Sequence, residues 1–210
     1  MPAAPNASFA TPLAFSVTFD YRCPFARNAH EHVLAAIEYG ADWNVRYVPF
    51  SLGQVHVAEG DPDIWETPEK DSGLLAMQVG ITVRDRFPSA FPAVHLALFA
   101  ARHDHGLQLN DEEVVRRVLT DHGVDAEEVL AAVADGTALK TVQTEHEEVA
   151  ASHTVWGVPT FLAGDEAVFI RLMNRPRGDG ALATETIGRI LDMLTGWTEL
   201  NEFKHTTIKR

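Results

Sequence analysis

The stretch from Leu13 to Asp20, Leu-Ala-Phe-Ser-Val-Thr-Phe-Asp, is dense in apolar and β-prone residues and lacks a clean polar alternation. Such continuity suits a strand buried on both faces at the centre of a sheet. The run gives way to Cys23-Pro24, and because proline is tolerated at a first helical position, the pattern predicts a helix from Pro24 to Tyr39 that stops at Gly40. Trp43, Val45 and Tyr47 then alternate with Asn44, Arg46 and Val48, a second strand that closes near Pro49. Strand, helix, strand in this order makes a βαβ unit of parallel strands with a right-handed crossover.

Residues 51–68 carry Gly53, Gly60, Pro62 and Pro68 and read as loop with at most a short helical piece. Helices are expected over Glu69–Val79 and over Ala90–His105, the latter with Phe91, Val94, Leu98 and Ala101 on one stripe. Asn110 with Glu113, and Asp125 with Glu128, mark two more helix starts, and a further helix spans Thr137–His153. The period then returns to β. Pro159–Ala163, a Gly164-Asp165 turn and Ala167–Leu172 form a hairpin, and an amphipathic helix over Asp179–Thr195 follows. The expected class is α/β, a thioredoxin-like βαβ–ββα fold with a large all-helical insertion. Residues 13–55 and 154–196 form the discontinuous thioredoxin-like domain and 56–153 the insertion. Residues 1–12 are expected to be a disordered tail, and 197–210 a polar tail packed through Trp197 and Phe203.

The 210 residues, 46% hydrophobic and 22% charged, suffice for one sizeable core. A net charge of −13 argues against nucleic acid or an anionic membrane as partner. No apolar run reaches the roughly 20 residues of a membrane span, and residues 1–11 lack the cationic start of a signal peptide. A cytoplasmic protein is expected, and its single cysteine fits a reducing compartment. An excess of Arg over Lys, with abundant Ala and Val, suggests a bacterial source. The 10 histidines form no ligand pattern: His30 and His32, like His103 and His105, would point about 200° apart on a helix. No metal and no permanently bound cofactor are expected. Self-association into a homodimer is compatible with the sequence.

Cys23 is where chemistry concentrates. A residue capping a helix N-terminus faces unpaired backbone N–H groups and the positive end of the macrodipole, both favouring thiolate. The topology starts the third strand at the same sheet edge, so Trp156-Gly157-Val158-Pro159 begins beside Cys23, and Val158 could hold an extended thiol substrate. The dipole alone, about 0.3–1 kcal/mol, moves a thiol by less than one pH unit. Phe25 and Ala26 can add N–H bonds, Pro24 cannot, and Arg22 and Arg27 are nearby sources of positive charge, with solvent the alternative for Arg22. A mildly depressed thiol pKa is expected. Arg175 and Arg177, in the loop after the last strand, are candidates for a small thiol's carboxylate.

Asp20-Tyr21-Arg22-Cys23-Pro24-Phe25-Ala26 after a strand, the helical insertion and Gly157-Val158-Pro159-Thr160-Phe161 together resemble the DsbA-like thioredoxin-fold family over about residues 13–196. Relatives of that family include kappa-class glutathione transferases and 2-hydroxychromene-2-carboxylate isomerases. The resemblance implies that Cys23 is the nucleophile and Pro159 the cis-proline, and it exposes a departure: Ala26 stands where dithiol members carry a second cysteine. A lone thiol can attack a disulfide but cannot release the mixed disulfide itself. The expected activity is thus monothiol thiol–disulfide exchange through Cys23, with an external thiol such as glutathione or mycothiol as co-substrate. A transferase- or isomerase-like enzyme using a bound thiol cofactor, and a non-enzymatic binding module, are the alternatives. The candidate site is Cys23 and Pro159, lined by Pro24, Phe25, Ala26, Arg27, Trp156, Val158, Arg175 and Arg177.

Overall fold

The computed structural model describes residues 13–208; the expected tail over 1–12 and the last two residues lie outside it. Four strands, β1 (Leu13–Phe19), β2 (Trp43–Pro49), β3 (Thr160–Ala163) and β4 (Glu166–Phe169), form one sheet in the order β2-β1-β3-β4. β1 runs parallel to β2, from Leu13 beside Trp43 to Phe19 beside Pro49, and antiparallel to β3. The continuous apolar run is therefore the inner strand, as its composition requires. Helix α1 (Pro24–Glu38) joins β1 to β2. Six helices follow before β3: α2 (Leu52–Val55), α3 (Leu74–Arg86), α4 (Phe91–His103), α5 (Glu112–Asp121), α6 (Ala126–Ala134) and α7 (Thr137–His153), and α8 (Gly180–Gly196) closes the fold. The architecture is the expected α/β thioredoxin-like arrangement, with a helical block between its βαβ and ββα halves.

Register explains how the sheet is covered. Val17 is paired with both Tyr47 and Phe161, so these three share a face. The Tyr47 ring meets His30 of α1 and His95 of α4, which places both helices on that face. On the opposite face Arg46 reaches Glu148 of α7. Val17, Phe19 and Phe161 are fully buried, each worth about 1.5–3 kcal/mol of apolar transfer. Among the described residues no helix is long and apolar enough to cross a membrane.

Several boundaries differ from the sequence pattern for identifiable reasons. The helix expected over Glu69–Val79 forms over Leu74–Arg86. Pro68–Lys70 is a 3-10 turn, and one Asp71 carboxylate oxygen accepts the N–H groups of Gly73 at 2.8 Å and Leu74 at 3.0 Å, moving the start downstream. Asp111, not Asn110, caps α5 by accepting from Glu113 N–H at 3.0 Å. β4 ends at Phe169 because the next rung is incomplete: Ile170 N–H still bonds the Pro159 carbonyl at 3.0 Å, but Pro159 has no N–H to return the pair. Trp197 and Phe203 do not pack: they are 58% and 70% exposed. The segment between them, Thr-Glu-Leu-Asn-Glu, offers no apolar period with which to bury them.

Candidate functional site

Cys23 sits at the junction of β1 and α1, as the N-cap of the helix. Its sulfur accepts the Ala26 N–H at 3.4 Å, and its own S–H donates to the Val158 carbonyl at 3.3 Å. The second contact depends on the segment before β3 being held against the end of β1. Thr18 Oγ1 accepts the Thr160 N–H at 2.8 Å, and Thr160 Oγ1 donates to the Gly157 carbonyl at 2.8 Å. Gly157, Val158 and Pro159 are buried, and the Val158–Pro159 peptide bond is cis.

The electrostatics run against the expectation of a depressed thiol. Burial pushes the Cys23 thiol upward, and the N–H groups of Ala26 and Phe25 only partly offset this. Asp20 adds to the rise and Arg171 opposes it. Only 7% of Cys23 is exposed, so the thiolate loses more hydration than one helix terminus and two N–H groups restore. Donation of S–H to Val158 also favours the protonated form.

Arg22 does not supply charge to the sulfur. Its guanidinium is clamped by the fully buried Asp20, with Nη2 at 2.6 Å, and by Asp71, with Nη1 at 2.9 Å. Burial works against its charge, but the hydrogen bonds and ion pairs to these carboxylates hold its pKa above the ordinary value. Asp20 further accepts Leu52 N–H at 2.9 Å, so the clamp fastens the Cys23 loop to the starts of α2 and α3. Gly73 is required there because a side chain would strike the Arg22 guanidinium.

A second brace lies behind the loop. Tyr21, His95 and His30 are fully buried and linked: Tyr21 Oη to His95 Nδ1 at 2.8 Å, His95 Nε2 to His30 Nδ1 at 2.8 Å, and His30 Nε2 to the Thr18 carbonyl at 3.1 Å. A carbonyl only accepts, so His30 Nε2 carries the proton, His95 Nε2 donates to His30, and the Tyr21 hydroxyl donates to His95. Burial pushes His30 down to about 4 and His95 well below the usual histidine range, and it raises Tyr21. The chain is neutral and directional.

The structure gathers Cys23, Pro24, Phe25, Ala26, Trp156, Val158 and Pro159 at one sheet edge. Arg27 is turned elsewhere, onto Glu31 at 2.9 Å and onto Asp104. Arg175 is likewise committed to Glu31 at 2.6 Å and Asp104 at 3.5 Å, so its charge is already balanced within the fold. Arg177 is exposed, in the left-handed region with φ 51°. Sequence reasoning missed Phe169 and Arg171. The Arg171 guanidinium lies 5.5 Å over the Phe25 ring and 5.4 Å over Phe169, and Phe169 packs 4.5 Å from the 60% exposed Trp156. The signal was an i, i+2 relation at the end of the hairpin, which sends both side chains to one face.

Comparison with known proteins agrees with the fold that positions this site. The family described as the DSBA-like thioredoxin domain matches residues 16–174. An uncharacterized protein of Mycobacterium tuberculosis is 30% identical over 166 residues, covering 78% of this chain and 70% of that protein. Among solved structures, a 2-hydroxychromene-2-carboxylate isomerase superposes with a TM-score of 0.60 at 19% identity, over 86% of this chain and 97% of its own. The cytosolic disulfide reductase DsbM from Pseudomonas aeruginosa, solved with GSH, also reaches 0.60, at 13% identity, over 85% of this chain and 99% of its own. At such identities the likeness of the solved structures is one of fold.

Proposed function

Because this chain belongs to the DSBA-like thioredoxin-domain family, we infer that it catalyses thiol–disulfide exchange by a monothiol route through Cys23. The observation that carries this reading is the placement of the sulfur, 3.3 Å from the Val158 carbonyl and 3.4 Å from the Ala26 N–H at a helix N-terminus. The Cys23 thiolate attacks one sulfur of a disulfide RS–SR′, forming Cys23–S–S–R and expelling R′S⁻. An external small thiol, such as glutathione or mycothiol, then attacks the mixed disulfide, leaves as its own disulfide with R and returns Cys23 to the thiol. Ala26 offers no sulfur for an internal second step, so the external thiol is a co-substrate. A chain with one thiol and this dependence suits the cytoplasm, where small thiols are abundant.

The elevated thiol pKa shapes the mechanism. At neutral pH the resting sulfur is protonated, and the step that activates it is displacement of the S–H bond to Val158 by an incoming extended substrate. The N–H groups of Phe25 and Ala26 then remain to stabilise the thiolate. The same S–H donor supports a second reading, in which a bound thiol cofactor carries a transferase- or isomerase-like reaction and neutral Cys23 only positions it. Incubation with an oxidised small thiol followed by intact-mass measurement separates the two. A stoichiometric adduct on Cys23, reversed by excess thiol, supports exchange; reversible binding of the reduced thiol without any adduct supports the second reading. Exchange activity that survives Cys23→Ala defeats the first.

A further inference from the structure

We propose that Arg171, braced by Phe25 and Phe169 and flanked by the exposed indole of Trp156, selects small thiols and disulfides that carry a carboxylate close to the reacting sulfur. The inference deepens the exchange reading above and rests on it. Three separate segments converge to build the platform. Phe25 comes from the first turn of α1, two residues after Cys23; Trp156 precedes Val158; Phe169 ends β4 and Arg171 lies two residues beyond it. Two backbone ties fix that end: Ile170 N–H on the Pro159 carbonyl at 3.0 Å, and Asn28 Nδ2–H on the Leu172 carbonyl at 2.7 Å. Arg171 is thereby bound on both sides to the elements that position the sulfur.

Its charge is available. Arg22, Arg27 and Arg175 are paired with Asp20 and Asp71, with Glu31 and Asp104, and with Glu31 and Asp104 respectively. Among the described residues no carboxylate pairs with Arg171, which is exposed and held by two aromatic faces that leave its N–H edges free. A guanidinium held in this way presents a planar fork to a carboxylate. Its charge also reaches the sulfur, which it biases toward thiolate. The 60% exposed Trp156 adds an apolar surface on which the carbon skeleton of such a molecule can lie. Because the whole protein carries −13, attraction of an anion here must be local and short-ranged.

The covalent step is exchange with a symmetrical disulfide RS–SR. Cys23 releases its proton to solvent, its thiolate forms the Cys23–S–S–R bond, and RS⁻ departs with the electron pair of the broken S–S bond. The test compares the rates of this step for 3,3′-dithiodipropionate, which bears carboxylates, and cystamine, which bears ammonium groups, by intact mass over time. The ratio of the two rates cancels any change in the thiol pKa, because both disulfides meet the same thiolate. In Arg171→Glu the dithiodipropionate-to-cystamine ratio should fall by about tenfold or more at low ionic strength, and in Arg171→Lys it should fall less. Arg189→Glu, the same charge change on the exposed face of α8, should move it by less than about threefold. Equal ratios in wild type and Arg171→Glu, or equal losses in Arg171→Glu and Arg189→Glu, overturn the proposal. If neither disulfide modifies Cys23 in the folded wild type, the exchange reading fails instead.

Discussion

Acid should weaken this protein through its buried histidines. His30 and His146 sit at about 4 in the fold, both pushed down by burial, against about 6.5 in an unfolded chain. Because the folded value is the lower one, the unfolded state takes up the proton first as pH falls. The stabilisation is complete above about pH 6.5 and is lost as pH drops toward 4. At pH 5 an unfolded chain gains RT ln[(1 + 10^1.5)/(1 + 10^−1)], about 2 kcal/mol per histidine relative to neutral pH. His30, wholly enclosed between Thr18 and His95, should show this in full, and His146, which accepts Ser51 N–H at 3.1 Å in a less closed setting, somewhat less. His95 acts in the same direction. A loss of about 4 kcal/mol by pH 5 is a large share of the 5–15 kcal/mol that holds a typical domain together. Urea denaturation at a series of pH values measures it: between about pH 5 and 6 the slope should correspond to roughly two to three protons taken up on unfolding. His146→Asn keeps an acceptor for Ser51 and should lower the slope by about one proton. Stability that is flat from about pH 7.5 to 5, or uptake below about half a proton, would refute the assignment of these histidines as neutral and enclosed.

Other perturbations probe the braces around Cys23. Gly80→Ala drives a methyl group into the Tyr21 hydroxyl and should cost about 1–3 kcal/mol in chemical denaturation, with Tyr21→Phe relieving part of the loss in the double variant. Arg22→Met leaves Asp20, fully buried, without its partner and should destabilise by about 3–5 kcal/mol; adding Asp20→Asn should recover much of it. Thr18→Val removes the acceptor of the Thr160 N–H. It should cost about 1–3 kcal/mol and loosen the Val158 contact, seen as a change in thiol reactivity larger than the stability change alone explains.

The sheet was legible because its signals are local. An apolar run, a proline at a helix start, Gly40 at its end and a two-residue Gly164-Asp165 turn each act within a few residues. The start of α3 was not, because it is set by an Asp71 side chain and a preceding 3-10 turn rather than by the apolar period. At the site, the meeting of Cys23 with Val158 and Pro159 followed from topology. The fates of the arginines did not: Arg22, Arg27 and Arg175 are all near the sulfur in sequence or topology, yet carboxylates from the end of β1, from α1, from the end of α4 and from the loop before α3 take up their charge. Arg171 was hidden in what read as one more strand residue. The thiol's direction of shift was misjudged for a related reason. Dipole and N–H terms can be read from a strand–helix junction, whereas depth of burial is decided by helices that arrive from elsewhere in the chain.

The central claim, that Cys23 is a working thiol held protonated at rest, is tested most directly by its alkylation rate with iodoacetamide across pH, set beside mixed-disulfide formation with oxidised glutathione. The account predicts a single titration with an apparent pKa above the roughly 8.5 of a free thiol, and a one-to-one adduct on Cys23 that excess thiol removes. A titration below that value would contradict the burial argument. A folded protein that forms no adduct even above its thiol pKa, while the urea-unfolded chain does, would contradict the assignment of Cys23 as the reacting group.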